Sequence, residues 1–240
     1  MNRPIQMLKF GKGNAKLGKD IYTFSLPAGY TCPFARECLS KADRTTGKIT
    51  DGRHTKFRCF SATLESVYKE TRAARWHNLD LLKTKRTPKT MAALISDSLP
   101  KRAMIVRIHV GGDFYNARYF DAWTIVARQH PKRLFYAYTK SLSYWLAYTE
   151  EEPLPPNFIL TASKGGKRDN LIQVGGFRTA EVVFSKKEAK TRGLKIDHDD
   201  SHAMRQGPSF ALLLHGVQPK GSPAGEAMKV LRASGQGGYS

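Results

Sequence analysis

The chain contains three cysteines, and all of them lie in its first quarter. Cys32 and Cys38 are separated by five residues, and Cys59 follows after another twenty. An odd number of thiols cannot pair completely into disulfides, whereas thiolate sulfur is a preferred ligand of soft metals and of iron–sulfur clusters. We therefore expect Cys32, Cys38 and Cys59 to bind a soft metal or an iron–sulfur cluster, and three protein ligands would leave one iron of a cluster open to a substrate or cofactor.

Two other interpretations of the cysteines remain open. The three thiols could be reduced side chains of a loop that binds nothing. They could also bind a structural zinc ion together with a histidine such as His54, because a structural zinc site normally has four protein ligands.

Apolar periodicity predicts the elements that must position these residues. Predicted strands cover 21–26, 104–109, 134–138, 157–161, 182–185, 194–196 and 210–214. Predicted helices cover 61–84, 88–99, 117–130, 142–149, 187–191 and 224–232. This alternation favours an α/β fold built from parallel βαβ units.

The length of 240 residues fits one domain. Within it we distinguish a basic amino-terminal segment at 1–19, a cysteine loop at 30–60 and a Gly- and Ser-rich tail at 233–240 that we expect to be flexible.

Polar residues and glycines follow the predicted strands. Gly111, Gly112 and Asp113 come after the second strand, Lys140 after the third and Ser163 after the fourth. Ligands of parallel α/β folds bind at the carboxyl ends of the strands, so we expect these five residues to form a cofactor site beside the cysteines. Glycine allows close approach to the backbone, and a carboxylate accepts hydrogen bonds from an ammonium group. No residue is identified as catalytic.

The order of a strand, a three-cysteine loop, a helical stretch, a second strand and Gly111-Gly112-Asp113 resembles the radical S-adenosylmethionine superfamily over roughly residues 20–165. The resemblance implies a partial (β/α) barrel with parallel strands. It also implies a [4Fe-4S] cluster on the three cysteines, with S-adenosylmethionine bound to the open iron and its methionine end at Gly111, Gly112 and Asp113. In that family the reduced cluster cleaves S-adenosylmethionine to a radical that abstracts hydrogen from a substrate.

The cysteine spacing differs from the Cys-x3-Cys-x2-Cys loop that is usual in that superfamily. The difference favours, as an alternative, a non-catalytic cluster protein that binds nucleic acid or a host partner. A second resemblance covers Arg107 to Ser163, which are similar to a family of uncharacterised bacteriophage and plasmid proteins. It implies a phage-type origin and no particular reaction.

The composition is strongly basic, with 40 Lys and Arg against 20 Asp and Glu and a formal net charge of +20. Such a charge favours binding to phosphates, so we expect DNA, RNA or a nucleotide as a partner, bound in a salt-sensitive way. No apolar run approaches the length of a spanning helix, and the amino end lacks the apolar region of a secretory signal. We expect a cytoplasmic protein, in the host cytoplasm if it is encoded by a phage.

Two further polar features have structural interpretations. Residues 197–202 (Asp-His-Asp-Asp-Ser-His) are rich in metal-ligand types, but we interpret them as a polar turn or the start of a helix. His109 lies in an apolar strand, and we expect it to be a hydrogen-bonded core histidine.

Overall fold

The computed structural model describes residues 6–13 and 17–235. Parts of the predicted basic segment 1–19 and of the predicted tail 233–240 therefore lie outside the described residues. The elements follow in the order β1 (Gly11–Lys12), β2 (Ile21–Phe24), β3 (Ser40–Ala42), β4 (Ile49–Asp51), α1 (Phe60–Val67), α2 (Lys69–Lys83), α3 (Pro88–Ser98), β5 (Ile105–Ile108), α4 (Ala117–Gln129), β6 (Leu134–Thr139), α5 (Leu142–Glu151), β7 (Phe158–Ser163), α6 (Leu171–Val174), β8 (Thr179–Val183), α7 (Lys186–Thr191), β9 (Phe210–Leu213) and α8 (Pro223–Ala233).

The fold is mixed α/β, with a seven-stranded sheet in the order β1-β2-β5-β6-β7-β8-β9. Strand β1 pairs antiparallel with β2, and every other pair in this sheet is parallel. The six parallel strands thus lie side by side in chain order, and β1 and β9 are the edges of the sheet within the described residues. The predicted α/β class with parallel strands is confirmed at this level.

The two faces of the sheet are covered differently. Alternate residues of a strand point to opposite faces, so Phe135 and Ala137 of β6 pack with residues of α2 to α5 in the largest core cluster. Tyr136 of the same strand belongs to another cluster, with Ile21, Phe210 and the loop residue Ala203. At the β8–β9 end, α7 and α8 form a third apolar cluster with the sheet.

The carboxyl ends of β2, β5, β6 and β7 fall at the predicted positions to within two residues. Three predicted elements differ from the structure. The strand predicted at 182–185 is observed earlier, as β8 at Thr179–Val183. The predicted helix 61–84 is interrupted at Tyr68, whose φ of −106° and ψ of 102° are extended, so that it becomes α1 and α2. The predicted strand 194–196 is reduced to a single bridge between Ile196 and Ala211.

The segment 30–60 is more regular than a loop, because it contains the antiparallel pair β3–β4. Its turn is stabilised by Asp43, whose carboxylate accepts hydrogen bonds from the backbone N–H groups of Thr45 and Thr46 at 3.0 and 2.7 Å. Gly47 completes the turn with a φ of +74°, a conformation that glycine adopts without steric cost. The hairpin therefore gives this part of the cysteine segment a regular, hydrogen-bonded backbone conformation.

Candidate cysteine-lined site

A cavity of about 160 Å³ lies where the carboxyl ends of β5 to β7 meet the cysteine segment, and it is partly open to solvent. All eight predicted site residues line it: Cys32, Cys38, Cys59, Gly111, Gly112, Asp113, Lys140 and Ser163. Residues from four separate parts of the chain are therefore brought together as expected. What they bind remains a prediction.

Each cysteine is positioned by neighbouring backbone or side chains. The Cys32 Sγ accepts a hydrogen bond from the Gly29 N–H at 3.3 Å. Cys59 precedes α1 as its N-cap residue, and its N–H donates to the Ser40 Oγ of β3 at 3.2 Å. Just before Cys59, the Arg58 guanidinium pairs with Asp51 of β4 at 2.6 Å. The β3–β4 hairpin thus brings the distant third cysteine back towards the other two.

The three thiols are reduced and partly exposed. Burial among protein atoms raises the pKa of Cys32 well above its ordinary value, and the negative charges of Asp113, Cys59 and Cys38 raise it further. Burial likewise raises the pKa of Cys59 to about 11, with a further contribution from Cys38. The thiolate form is therefore unfavourable unless a cation compensates the charge, which is the situation that metal binding relieves.

Within residues 6–13 and 17–235, no three His, Cys, Asp or Glu side chains are grouped so that they could hold one metal ion. His54 is exposed and is not among the residues that line the cavity.

Gly111 and Gly112 pack against protein atoms. A Cβ on Gly111 would overlap the Ser61 hydroxyl and lie 2.8 Å from the Arg75 Nη1. Gly112 has a φ of +88°, and a Cβ there would lie 2.6 Å from the Thr31 Oγ1. The space left by the missing side chains is thus occupied by α1, α2 and the turn after β2. The two glycines allow the end of β5 to approach the cysteine segment closely.

Asp113 connects two strand ends. Its carboxylate accepts hydrogen bonds from the Thr139 hydroxyl at 2.6 Å, the Lys140 N–H at 2.8 Å and the Phe114 N–H at 2.7 Å. Burial raises the pKa of Asp113 to about 6, although these hydrogen bonds act in the opposite direction. Asp113 does not cap the following helix: the N-cap of α4 is Asn116, whose side chain accepts from the Tyr119 N–H at 2.9 Å.

Lys140 is a buried cation that joins β6 to β7. Its Nζ donates to the Ser163 carbonyl at 3.0 Å, the Ser163 hydroxyl at 2.7 Å and the Lys164 carbonyl at 2.6 Å. These acceptors are neutral, and the positive charge of Lys140 acts on Asp113, whose pKa it lowers against the effect of burial.

Arg107 and Tyr138 also line the cavity but were not among the predicted site residues. The Arg107 guanidinium lies 5.1 Å from the Tyr138 ring centroid and pairs with the Asp200 carboxylate at 2.6 Å. The same carboxylate accepts from the Tyr136 and Tyr138 hydroxyls at 3.0 and 3.2 Å. A charged residue within an apolar run was the available sequence signal for Arg107.

His109 is a buried histidine, as expected, at the end of β5. Its Nε2 lies 3.0 Å from the Tyr119 hydroxyl, and its φ of +66° is unusual for a residue with a side chain. Burial lowers the pKa of His109 to about 3, so the ring is neutral near pH 7.

Fold and site together define an α/β protein with a mostly parallel sheet and a cavity lined by cysteines at the strand ends. The chain belongs to the Gene product 88 family (GP88), whose model matches residues 7–233. The Gene 88 protein of Mycobacterium phage L5 is 29% identical over 138 residues, covering 53% of this chain and 51% of the relative. The Gene 88 protein of Mycobacterium phage D29 is 30% identical over 138 residues, covering 53% and 50%.

The match spans about half the length of these curated relatives. The predicted membership of a phage protein family is confirmed, and none of these matches names a radical S-adenosylmethionine protein. No solved structure matches the chain. Among the described residues, no helix has the length and apolar character needed to cross a membrane.

Proposed function

We propose that this protein binds a [4Fe-4S] cluster through Cys32, Cys38 and Cys59 and uses it in a radical-S-adenosylmethionine-like site. The observation that carries the proposal is the presence of all three thiols on one cavity, together with residues that follow β5, β6 and β7. Three thiolates leave one iron without a protein ligand, and the cavity supplies room for a small molecule beside it. The reducing host cytoplasm is the compartment in which such a cluster would persist.

The fold supports the same proposal. The six parallel strands follow one another in chain order, which is the arrangement of a partial (β/α) barrel. Helices α2 to α5 pack with one face of the sheet, while the other face carries Tyr136 and Tyr138 below the cavity. A ligand would therefore bind at the carboxyl ends of the strands.

When bound, the cluster would supply one electron for the cleavage of S-adenosylmethionine. The protein's part is to hold the ligand and to balance charge. Lys140 contributes a buried positive charge to the lining of the cavity, and Asp113 links the ends of β5 and β6 through its hydrogen bonds. Gly111 and Gly112 allow the end of β5 to lie close to the turn after β2 and to α1 and α2.

A non-catalytic cluster protein that binds nucleic acid or a host partner is the second candidate. It is favoured by Asp113, whose carboxylate already accepts three hydrogen bonds from the protein and would have to bind an ammonium group in addition. The net charge of +20 supports a nucleic-acid partner in either case. The zinc alternative differs in requiring a fourth ligand around one ion.

Anaerobic purification followed by iron, sulfide and zinc analysis tests the cluster. We expect about four irons and four sulfides per chain, as in a [4Fe-4S] centre, and a brown protein. Each of Cys32→Ala, Cys38→Ala and Cys59→Ala should lose most of the iron, whereas the control His54→Ala should keep it. Stoichiometric zinc without sulfide, lost in His54→Ala, would establish the zinc site and reject the cluster.

Calorimetric titration of the cluster-loaded protein with S-adenosylmethionine separates the two cluster functions. If Asp113 contacts the ligand ammonium, Asp113→Asn should bind S-adenosylmethionine about ten- to a hundredfold more weakly, the equivalent of one charge-assisted hydrogen bond. Iron content of the variant should stay unchanged. Absence of binding by the wild type, or equal binding by the variant, would favour the non-catalytic protein.

A further inference from the structure

A second, shallower groove lies between α7 and the segment 194–202, and lysines and histidines line it. The residues that form it are Lys186, Ala189, Lys190, Leu194, Lys195, Ile196, His198 and His202. None of the described residues that line this groove is acidic. It shares no lining residue with the cysteine-lined cavity.

Two of the three lysines of α7 lie on one side of the helix. Lys186 and Lys190 are four residues apart, so their side chains are neighbours on the helix surface, and like charges at this spacing destabilise an isolated helix by a few tenths of a kcal/mol. Lys195 adds a third positive charge from the segment that follows the helix. In the part of the chain that the structure describes, none of the three lysines forms an ion pair, and all three are exposed.

The nearby glutamates are paired with cations outside the groove. Glu188, between the two lysines in sequence, pairs with Arg192 at 2.5 Å and accepts from the Phe184 N–H at 2.7 Å. Glu181 pairs with Arg192 and, at 3.2 Å, with Lys164. Asp197 is buried with its carboxylate 3.5 Å from the His202 ring, and the exposed Asp199 accepts from the Ser201 N–H at 3.0 Å. The charges of Lys186, Lys190 and Lys195 are therefore left for an external partner.

We propose that this groove, formed by Lys186, Lys190, Lys195, His198 and His202, binds the phosphate backbone of a nucleic acid. The proposal locates the nucleic-acid partner proposed above on one surface and is independent of the cluster. The lysines neutralise successive phosphates. The exposed His198 offers a ring against which an unpaired base can stack, which favours single strands over duplexes.

Fluorescence anisotropy with labelled single-stranded DNA, single-stranded RNA and duplex DNA tests this assignment on the full chain. The triple variant Lys186→Gln/Lys190→Gln/Lys195→Gln is compared with Lys69→Gln/Lys83→Gln/Lys89→Gln, which removes the same charge from exposed positions on α2 and α3. Both variants should be checked for wild-type thermal unfolding and iron content.

For the groove variant, we expect the slope of log K against log salt concentration to become shallower by about two to three, because three phosphate contacts are lost. Raising the salt from 50 to 200 mM should therefore weaken binding by the groove variant about 15- to 65-fold less than binding by the wild type. The control variant should keep a slope within about one of the wild type.

Equal losses in the two triple variants would show that binding is spread over the surface and would overturn the assignment. Absence of binding to all three probes at low salt would overturn the nucleic-acid partner itself. Neither result would affect the cluster, which is measured separately by iron and sulfide content. Preference among the three probes identifies the kind of nucleic acid, and a preference for duplex would contradict the stacking role of His198.

Discussion

Two segments of this protein are rich in side chains that bind metals, and the fold uses them in opposite ways. The cysteine segment presents three partly exposed thiols to a cavity, and the polar segment 197–202 turns Asp200 completely into the protein. Asp200 is held there by Arg107, Tyr136 and Tyr138, although its own φ of +64° is unfavourable for a residue with a side chain.

The difference follows from the partners that each segment meets in the fold. The Asp200 carboxylate accepts hydrogen bonds from Arg107, Tyr136 and Tyr138, so it is engaged in linking the sheet to the segment that covers it. Burial and neighbouring negative charge raise the pKa values of Cys32 and Cys59, so a bound cation would stabilise their thiolates. Three substitutions test this contrast, in order of decreasing expected effect on the free energy of unfolding.

Asp200→Ala should have the largest effect. It leaves the buried Arg107 guanidinium without its carboxylate, and breaking a buried ion pair in this way costs about 3–5 kcal/mol. Urea unfolding followed by far-ultraviolet circular dichroism measures the loss. The matched control is Asp199→Ala, one position earlier and exposed, which should change stability by less than about 1 kcal/mol. Similar small effects for both variants would contradict the structural role of Asp200.

Lys140→Met should have an intermediate effect. Lys140 is hydrogen-bonded within the protein, as Asp200 is, but it also lines the cavity, as the cysteines do. The substitution leaves the Ser163 and Lys164 carbonyls without their donor, which costs about 1–3 kcal/mol. Lys164→Met is the control, since its exposed pair with Glu181 contributes at most about 1 kcal/mol. The same urea titration compares the two. A more stable Lys140→Met would show that burying the charge costs more than its hydrogen bonds return.

Cys38→Ala should have the smallest effect in protein from which metal has been removed. It deletes one partly exposed thiol, so we expect a change of less than about 1 kcal/mol. In cluster-loaded protein the same substitution should abolish most iron binding and lower the unfolding temperature towards that of the metal-free protein. A large loss in metal-free protein would mean that Cys38 has a packing role comparable to that of Asp200.

Much of the fold could be predicted because its signals are local. Apolar periodicity and the breaks around it are properties of neighbouring residues, and they predicted β2, β5, β6, β7 and β9. The rule that parallel strands place their carboxyl ends at one edge then predicted that Gly111, Lys140 and Ser163 would lie beside the cysteines. The break at Tyr68 was missed, because the helical pattern continues across it.

The sequence by itself determined the strand ends, the confinement of the cysteines to one segment and the excess of positive charge. Only the tertiary structure decided which polar groups meet. The pairing of Arg107 with Asp200 spans 93 positions, and the filling of the space beside Gly111 depends on how α1 and α2 pack. Such contacts depend on the paths of whole segments in three dimensions. For that reason a side chain able to bind a metal serves as a buried link in one segment, and such side chains line an open cavity in the other.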